Sequence, residues 1–329
     1  MKKLFLSLVA AIVAATATYA QSTLVATLSH GSDITMYYGS SALRNAMNAA
    51  VSGDVINLSG GTFTAATIEK GVTIRGTGID ESNPTIIDGG FSISTSEDDP
   101  NPFSVEGVVF YYKSTNSPIY LKNTINPSFI KCRFRNYLTF DSSSTTVNAT
   151  FVNCKISDPL YLSSSNSSAN FYNCYISAIS QKTTTQSSFV NCIIPSSSYY
   201  INAQFINCII RGTTDMDSSN KGFNCVQVAS SEIDIFPSTG TFVDCSTTTY
   251  SQLWEKGDNW SVNDLYPCEL TDEAKTTFLG ADGTQVGLYG GMLPYNSTPS
   301  YPRITKFDVA KKSTADGKLS VEIEVSAAQ

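Results

Sequence analysis

A six-residue pattern repeated along the middle of the chain constrains the fold more than any other feature. Phe151-Val152-Asn153-Cys154-Lys155-Ile156 returns as Phe171-Tyr172-Asn173-Cys174-Tyr175-Ile176, Phe189-Val190-Asn191-Cys192-Ile193-Ile194 and Phe205-Ile206-Asn207-Cys208-Ile209-Ile210. Weaker copies are Phe129-Ile130-Lys131-Cys132, Gly222-Phe223-Asn224-Cys225 and Phe242-Val243-Asp244-Cys245. Successive cysteines of the motif stand 16 to 22 residues apart, which suits one coil of a β-solenoid built from three short strands and their turns. Within each copy, period-2 alternation points Phe inward and the next residue outward. Asn then sits at a bend, because it tolerates left-handed backbone and its amide bonds nearby backbone groups. Cys and Ile point inward on the next strand. Stacked coils place the Asn residues in a column about 4.8 Å apart, with their amides expected to bond up and down it. Parallel crossovers are right-handed, so the expected fold is all-β: a single right-handed parallel β-helix.

The N-terminus reads as a secretory signal over residues 1–20. Lys2 and Lys3 precede an apolar run from Leu4 to Ala15, and Tyr19-Ala20-Gln21 is the expected cleavage point. The run is shorter than the ~20 residues of a spanning helix. No cysteine stands at the cleavage point, so no lipid anchor is expected. The expected location is secreted, periplasmic or cell-surface. The net charge of −7 falls to −9 once Lys2 and Lys3 are removed. Nucleic acid, which needs clustered Lys and Arg, is thereby disfavoured as a partner.

Residues 21–300 form the expected β-helix with its N-terminal cap, and 301–329 a terminal hairpin or tail. Ser40 or Ser41 begins a predicted helix through Val51, with Ala42, Leu43, Ala46, Met47 and Ala50 as its apolar stripe. Gly53-Asp54-Val55-Ile56-Asn57-Leu58 follows as a turn and the first strand. At the far end, Asp316-Gly317 signals a turn before the alternating stretch Leu319 to Val325. The hairpin so formed is expected to cover the last coil and protect its strand edges.

The stretch Ala42 to Phe63, followed by Gly71-Val72-Thr73-Ile74-Arg75-Gly76, resembles the start of pectin-lyase-like parallel β-helices. The tail Gln285-Val286-Gly287-Leu288-Tyr289-Gly290-Gly291-Met292-Leu293-Pro294-Tyr295, then Pro302-Arg303-Ile304, is similar to the ends of β-helix envelope proteins of Bacteroidetes. The resemblance covers roughly residues 40 to 325. It implies fold and compartment, and spans enzymes, adhesins and surface proteins without deciding among them.

Seven of the eight cysteines occupy the one slot of the motif. Parallel Cβ vectors on stacked coils suit buried free thiols better than disulfides, which need Cβ atoms converging to about 3.5–4.5 Å. A straight column of sulfurs does not surround zinc tetrahedrally. Cys268 stands outside the ladder. The single histidine, His30, is expected at the surface, which leaves Ser-His and Cys-His nucleophiles without support. The polygalacturonase motifs and the pectate-lyase arginine motif are absent.

Counting from the cysteines selects the candidate surface. Seven residues after Cys154, Cys174, Cys192, Cys208 and Cys225 stand Tyr161, Gln181, Tyr199, Asp215 and Glu232. Two residues beyond Asp215 and Glu232 stand Asp217 and Asp234. The intervening Leu162 and its counterparts look inward-facing, Lys182 excepted. Asp215, Asp217, Glu232 and Asp234 then form a four-carboxylate patch, a candidate catalytic or Ca²⁺ site. Arg211 or Lys221 could instead neutralise part of that charge. Tyr161, Gln181 and Tyr199 are candidate glycan contacts. Glu97-Asp98-Asp99-Pro100-Asn101-Pro102 and Glu255 to Trp260 read as loops, with Trp254 and Trp260 packing on the last coils. The leading expectation is a non-enzymatic glycan-binding protein or rigid surface scaffold. A polysaccharide lyase or glycoside hydrolase using the carboxylates is the competing one, and a spacer without ligand the third.

Overall fold

The computed structural model describes residues 24–80, 82–96, 98–112, 119–140, 145–162, 166–181, 185–195, 202–211, 219–229, 241–255, 268–309, 316–318 and 320–326. The chain winds into a parallel β-solenoid with a 12-stranded, a 10-stranded and a 5-stranded sheet, called here first, second and third. The repeat sets the register. Phe129, Phe151, Phe171, Phe189 and Phe205 pair in succession on the first sheet. Their rings stack inside at centroid spacings of 4.8, 4.7, 4.9 and 5.2 Å, close to the spacing of the strands themselves. The next coil carries Gly222, and the ring of Phe242 fills the vacated space: a Cβ at 222 would lie 2.4 Å from it.

The cysteine column is as expected: all eight cysteines are unbridged, and every ladder member except the half-buried Cys245 is buried. Each ladder thiol has a backbone acceptor; Cys154 Sγ, for instance, donates to the Phe129 carbonyl at 3.3 Å. Burial away from water pushes the Cys132, Cys154, Cys192 and Cys225 thiols well up, so they stay protonated.

The bend residues are left-handed throughout. Asn153, Asn173, Asn191, Asn207 and Asn224 have φ between 49 and 54°, and Lys131 and Asp244 take the same conformation. Their amides correct one expectation. Asn173 Nδ2 donates to the carbonyls of Leu288 and Gly290, 2.8 Å each, instead of to its column neighbours. The acceptors belong to a strap, residues 279–301, that runs back along the outside of the solenoid. Asn173 thus adds a donor to Gly290 and to Leu288, whose carbonyl also accepts from Tyr295 N at 2.8 Å, while Asn207 Oδ1 accepts from Ala281 N at 3.4 Å.

Each strap contact meets an earlier coil. Gly287 N donates to the Asn207 carbonyl at 2.9 Å, and the Lys131 ammonium donates to the Thr298 carbonyl at 2.5 Å. Ser300 donates to the buried Glu106 carboxylate through N and Oγ at 2.6 and 2.8 Å. The Tyr301 hydroxyl donates to the Gly76 carbonyl, with Arg75 over its ring at 5.3 Å. Two glycines make the approach feasible. A Cβ on Gly291, at φ 75°, would lie 2.0 Å from Asn191 Nδ2, and one on Gly280 would lie 2.6 Å from the Asn207 amide.

Beneath the strap, the outward face of the second sheet is apolar. Tyr175, Ile193, Ile209, Val226 and Val228 pack against Leu253, Trp254, Cys268, Leu270, Val286 and Leu288. Cys268 thus belongs to this second layer. Trp254 is buried there, as anticipated, while Trp260 lies outside the described residues.

At the N-terminal end, helix α1 (Ala42–Ala49) buries Ala42, Leu43, Ala46 and Met47, the predicted stripe; Ala50, just beyond it, is buried as well. A hairpin of Val25–His30 and Asp33–Tyr38, not anticipated from the sequence, pairs antiparallel with the first solenoid strand, Val55–Leu58. The C-terminal hairpin, Arg303–Val309 with Val321–Ser326, is present. Its place differs from expectation. It starts two residues after Tyr301, which is held at Gly76 on an early coil, so it leaves the strap far from the last coil. Among the described residues no helix is long and apolar enough to cross a membrane.

Candidate functional site

The third sheet comprises Ser92–Ile93, Ile119–Leu121, Leu138–Phe140, Leu160–Leu162 and Ile179–Gln181. Three strands read apolar–x–apolar. Ile119, Leu121, Leu138, Phe140, Leu160 and Leu162 are all buried, so each middle residue is forced outward. The register then assembles one row across five strands. Ser92 pairs with Tyr120, Tyr120 with Thr139, Thr139 with Tyr161, and Tyr161 with Ser180.

Every member of this row carries a hydroxyl and none carries a charge. Small and aromatic residues alternate along it. Tyr120 and Tyr161 are 36% and 37% exposed, high for aromatic side chains on a sheet, whereas Ser92, Thr139 and Ser180 are half-buried. Tyr137, just ahead of its strand and also 37% exposed, meets Tyr161 edge-to-face with ring centroids 5.6 Å apart. That contact holds the Tyr161 ring in place while leaving part of it open to solvent.

Two clefts adjoin the early end of the row. One of about 480 Å³ is lined by Glu69, Ser94, Thr95, Ser96 and Asn123. The other, about 680 Å³, lies beside helix α1. Its cations serve the fold: Arg44 donates to the Ala65 carbonyl at 3.3 Å, and Lys70 donates to the Ala50 carbonyl at 2.5 Å, closing the end of the helix.

The residues selected by counting from the cysteines fare unequally. Tyr161 lies in the exposed row. Gln181 does not share its position: it pairs with Leu162, and Ser180 takes the place beside Tyr161. The turn before Leu160 holds three residues, 157–159, whereas that before Ile179 holds two, 177–178, so the count slips by one. Tyr199, Asp215, Asp217, Glu232 and Asp234 lie outside the described residues, as does Lys182. The carboxylate patch and its Ca²⁺ therefore remain expectations. Arg211 stacks over the Tyr250 ring at 5.3 Å. Among the described residues, no group of three or more His, Cys, Asp or Glu is placed to hold a metal ion.

Two other polar groups serve the fold. His30, 65% exposed, pairs with the buried Asp54 at 2.7 Å, joining the N-terminal hairpin to the turn before the first coil. Asp99 accepts from the Ser52 hydroxyl, from Gly71 N at 2.8 Å and from Asn101 N at 3.0 Å. Slight burial opposes ionisation there, but the hydrogen bond from Ser52 and the two backbone donors hold the carboxyl below its usual range. The acidic loop around Asp99 is thus tied down structurally.

Counting missed Tyr120 and Tyr137 because both precede the first clear copy of the motif. The signal that finds them is the recurrence of Ile119-Tyr120-Leu121, Leu138-Thr139-Phe140 and Leu160-Tyr161-Leu162. No family model matches the chain, and neither curated proteins nor solved structures give a match.

Proposed function

We propose that this chain is an exported protein that holds glycan on the outer face of its third sheet and does not cleave it. The observation that carries the reading is the row Ser92–Tyr120–Thr139–Tyr161–Ser180, with its two exposed tyrosines two coils apart. Phenol rings pack on the apolar CH faces of sugars, and hydroxyls of either partner can donate or accept. A β-solenoid presents such groups on hydrogen-bonded strands, so little order is lost on binding. The signal-like N-terminus supports export, and the acidic balance of −7 disfavours nucleic acid as the ligand.

The test is a panel of plant, host and microbial polysaccharides incubated with the purified mature protein, with and without Ca²⁺. Retention on at least one polymer, weakened by Tyr161→Ala, is the expected result. New oligosaccharides that vanish in Asp217→Asn would overturn the non-enzymatic reading in favour of a depolymerase. Absence of both retention and products would favour a spacer.

A further inference from the structure

We infer that the glycan is an uncharged, extended chain lying across the strands, parallel to the solenoid axis, with alternate sugars stacked on Tyr120 and Tyr161. This rests on the glycan reading above and specifies its ligand.

The direction follows from the row itself. Its members succeed one another from strand to strand, so the surface is long only along the axis. Neighbouring strands are about 4.8 Å apart, which puts Tyr120 and Tyr161 about 10 Å from each other, with Thr139 between. In an extended β-1,4-linked chain with two-fold character, successive sugars are flipped. The same face recurs at every second residue, at a repeat close to the Tyr120-to-Tyr161 spacing. Two aromatic platforms separated by one small hydroxyl residue match that repeat. A helical α-linked chain turns its faces away and does not.

The charge class follows from what the row omits. A polyuronate puts a carboxylate on every sugar and needs cations or bound Ca²⁺ along its path. All five positions here are neutral hydroxyl residues, and Lys122, which follows the strand Ile119–Leu121, is half-buried. Among the described residues, none of the five hydroxyls has a protein partner.

The experiment is affinity electrophoresis of the mature chain in gels containing hydroxyethyl cellulose, glucomannan, soluble starch or polygalacturonate. Retardation is expected with the first two polymers and not with starch or polygalacturonate. Tyr120→Ala and Tyr161→Ala should each weaken it about tenfold, as truncating an aromatic anchor does. Both side chains are exposed, so an unchanged melting midpoint by circular dichroism checks that the variants fold. Retardation by polygalacturonate alone would overturn the uncharged class and leave glycan binding standing. Equal retardation by starch would overturn the extended-chain register. Retardation by hydroxyethyl cellulose that survives both substitutions would move the site elsewhere. No retardation in any gel would overturn glycan binding itself.

Discussion

The side chain of Asn173 donates to the main-chain carbonyl of Leu288 at 2.8 Å, joining positions 115 residues apart. The bond is the centre of an arrangement in which the solenoid's bends hold the strap. It depends on two properties of asparagine at once: tolerance of φ 49° and an amide that faces outward.

Those two properties can be separated. Asn173→Ala should lower stability by about 2–4 kcal/mol, from two lost hydrogen bonds and a strained left-handed residue. Asn173→Gly keeps the backbone relaxed and loses only the amide, so it should recover about 1 kcal/mol of that. Denaturant midpoints of the three proteins measure both parts. Equal midpoints for the alanine and glycine variants would contradict the backbone contribution.

Gly291→Ala should loosen the strap and leave the solenoid standing. The new Cβ would lie 2.0 Å from Asn191 Nδ2, at a φ of 75° that alanine disfavours. Hydrogen exchange should rise over 279–301, by about tenfold or more at exposed amides, while amides of the first-sheet strands keep their protection. Uniformly raised exchange throughout the chain would mean that the strap and the solenoid unfold as one unit.

The thiol column should be silent to a thiol reagent in the native protein. Seven of the eight cysteines are buried, and desolvation keeps those for which it raises the pKa protonated. Cys245 is half-buried and is held up by its hydrogen bond with Cys225 and by burial, so it should react first but slowly. Denaturant should release all eight. Fewer than eight in the denatured, unreduced protein would indicate a bridge in the exported form.

Alkaline pH should destabilise the protein. Burial pushes the Cys268 thiol from its ordinary 9.0 up to about 12, and desolvation raises Tyr289 from 10.0 to about 12. In each case the unfolded state ionises first. The contribution of these two groups is therefore level below pH 9 and falls between pH 9 and 12, where the unfolded chain binds fewer protons than the native one. For one such group the unfolding constant rises up to about tenfold per pH unit. Cys268→Ala should show a shallower decline, read from denaturation midpoints across that range.

The inward positions were legible because each copy of the motif repeats the same alternation. Phe, Cys and Ile fall in the same slots whatever lies between copies, and the bend needs a residue that accepts positive φ. The covered face of the second sheet was also written in the chain, though less openly. The outward slot after cysteine reads Arg133 and Lys155 in the early copies, then Tyr175, Ile193, Ile209 and Val226 in the later ones. That change marks where the second apolar layer begins.

The candidate row was legible only in part: counting picked out Tyr161 and not Tyr120, Thr139 or Ser180. Strand registry inside the motif is local, so residue counting works there. The third sheet lies beyond a turn that varies between two and three residues, and one residue of slip exchanges inside for outside. Backbone pairing across coils decided that Ser180, and not Gln181, stands beside Tyr161.

What the sequence determined by itself is therefore the coil: its inward columns, its left-handed bends and its unbridged thiols. All are consequences of neighbours a few residues apart, repeated until the coils stack. The tertiary structure decided the strap's path, its anchoring on an early coil just before the hairpin, and the row on the third sheet. Each of these joins segments distant in sequence, from Asn173 with Leu288 to Gly76 with Tyr301. No local periodicity encodes such meetings; they depend on which unpaired donors and apolar faces the finished solenoid leaves for the rest of the chain to cover.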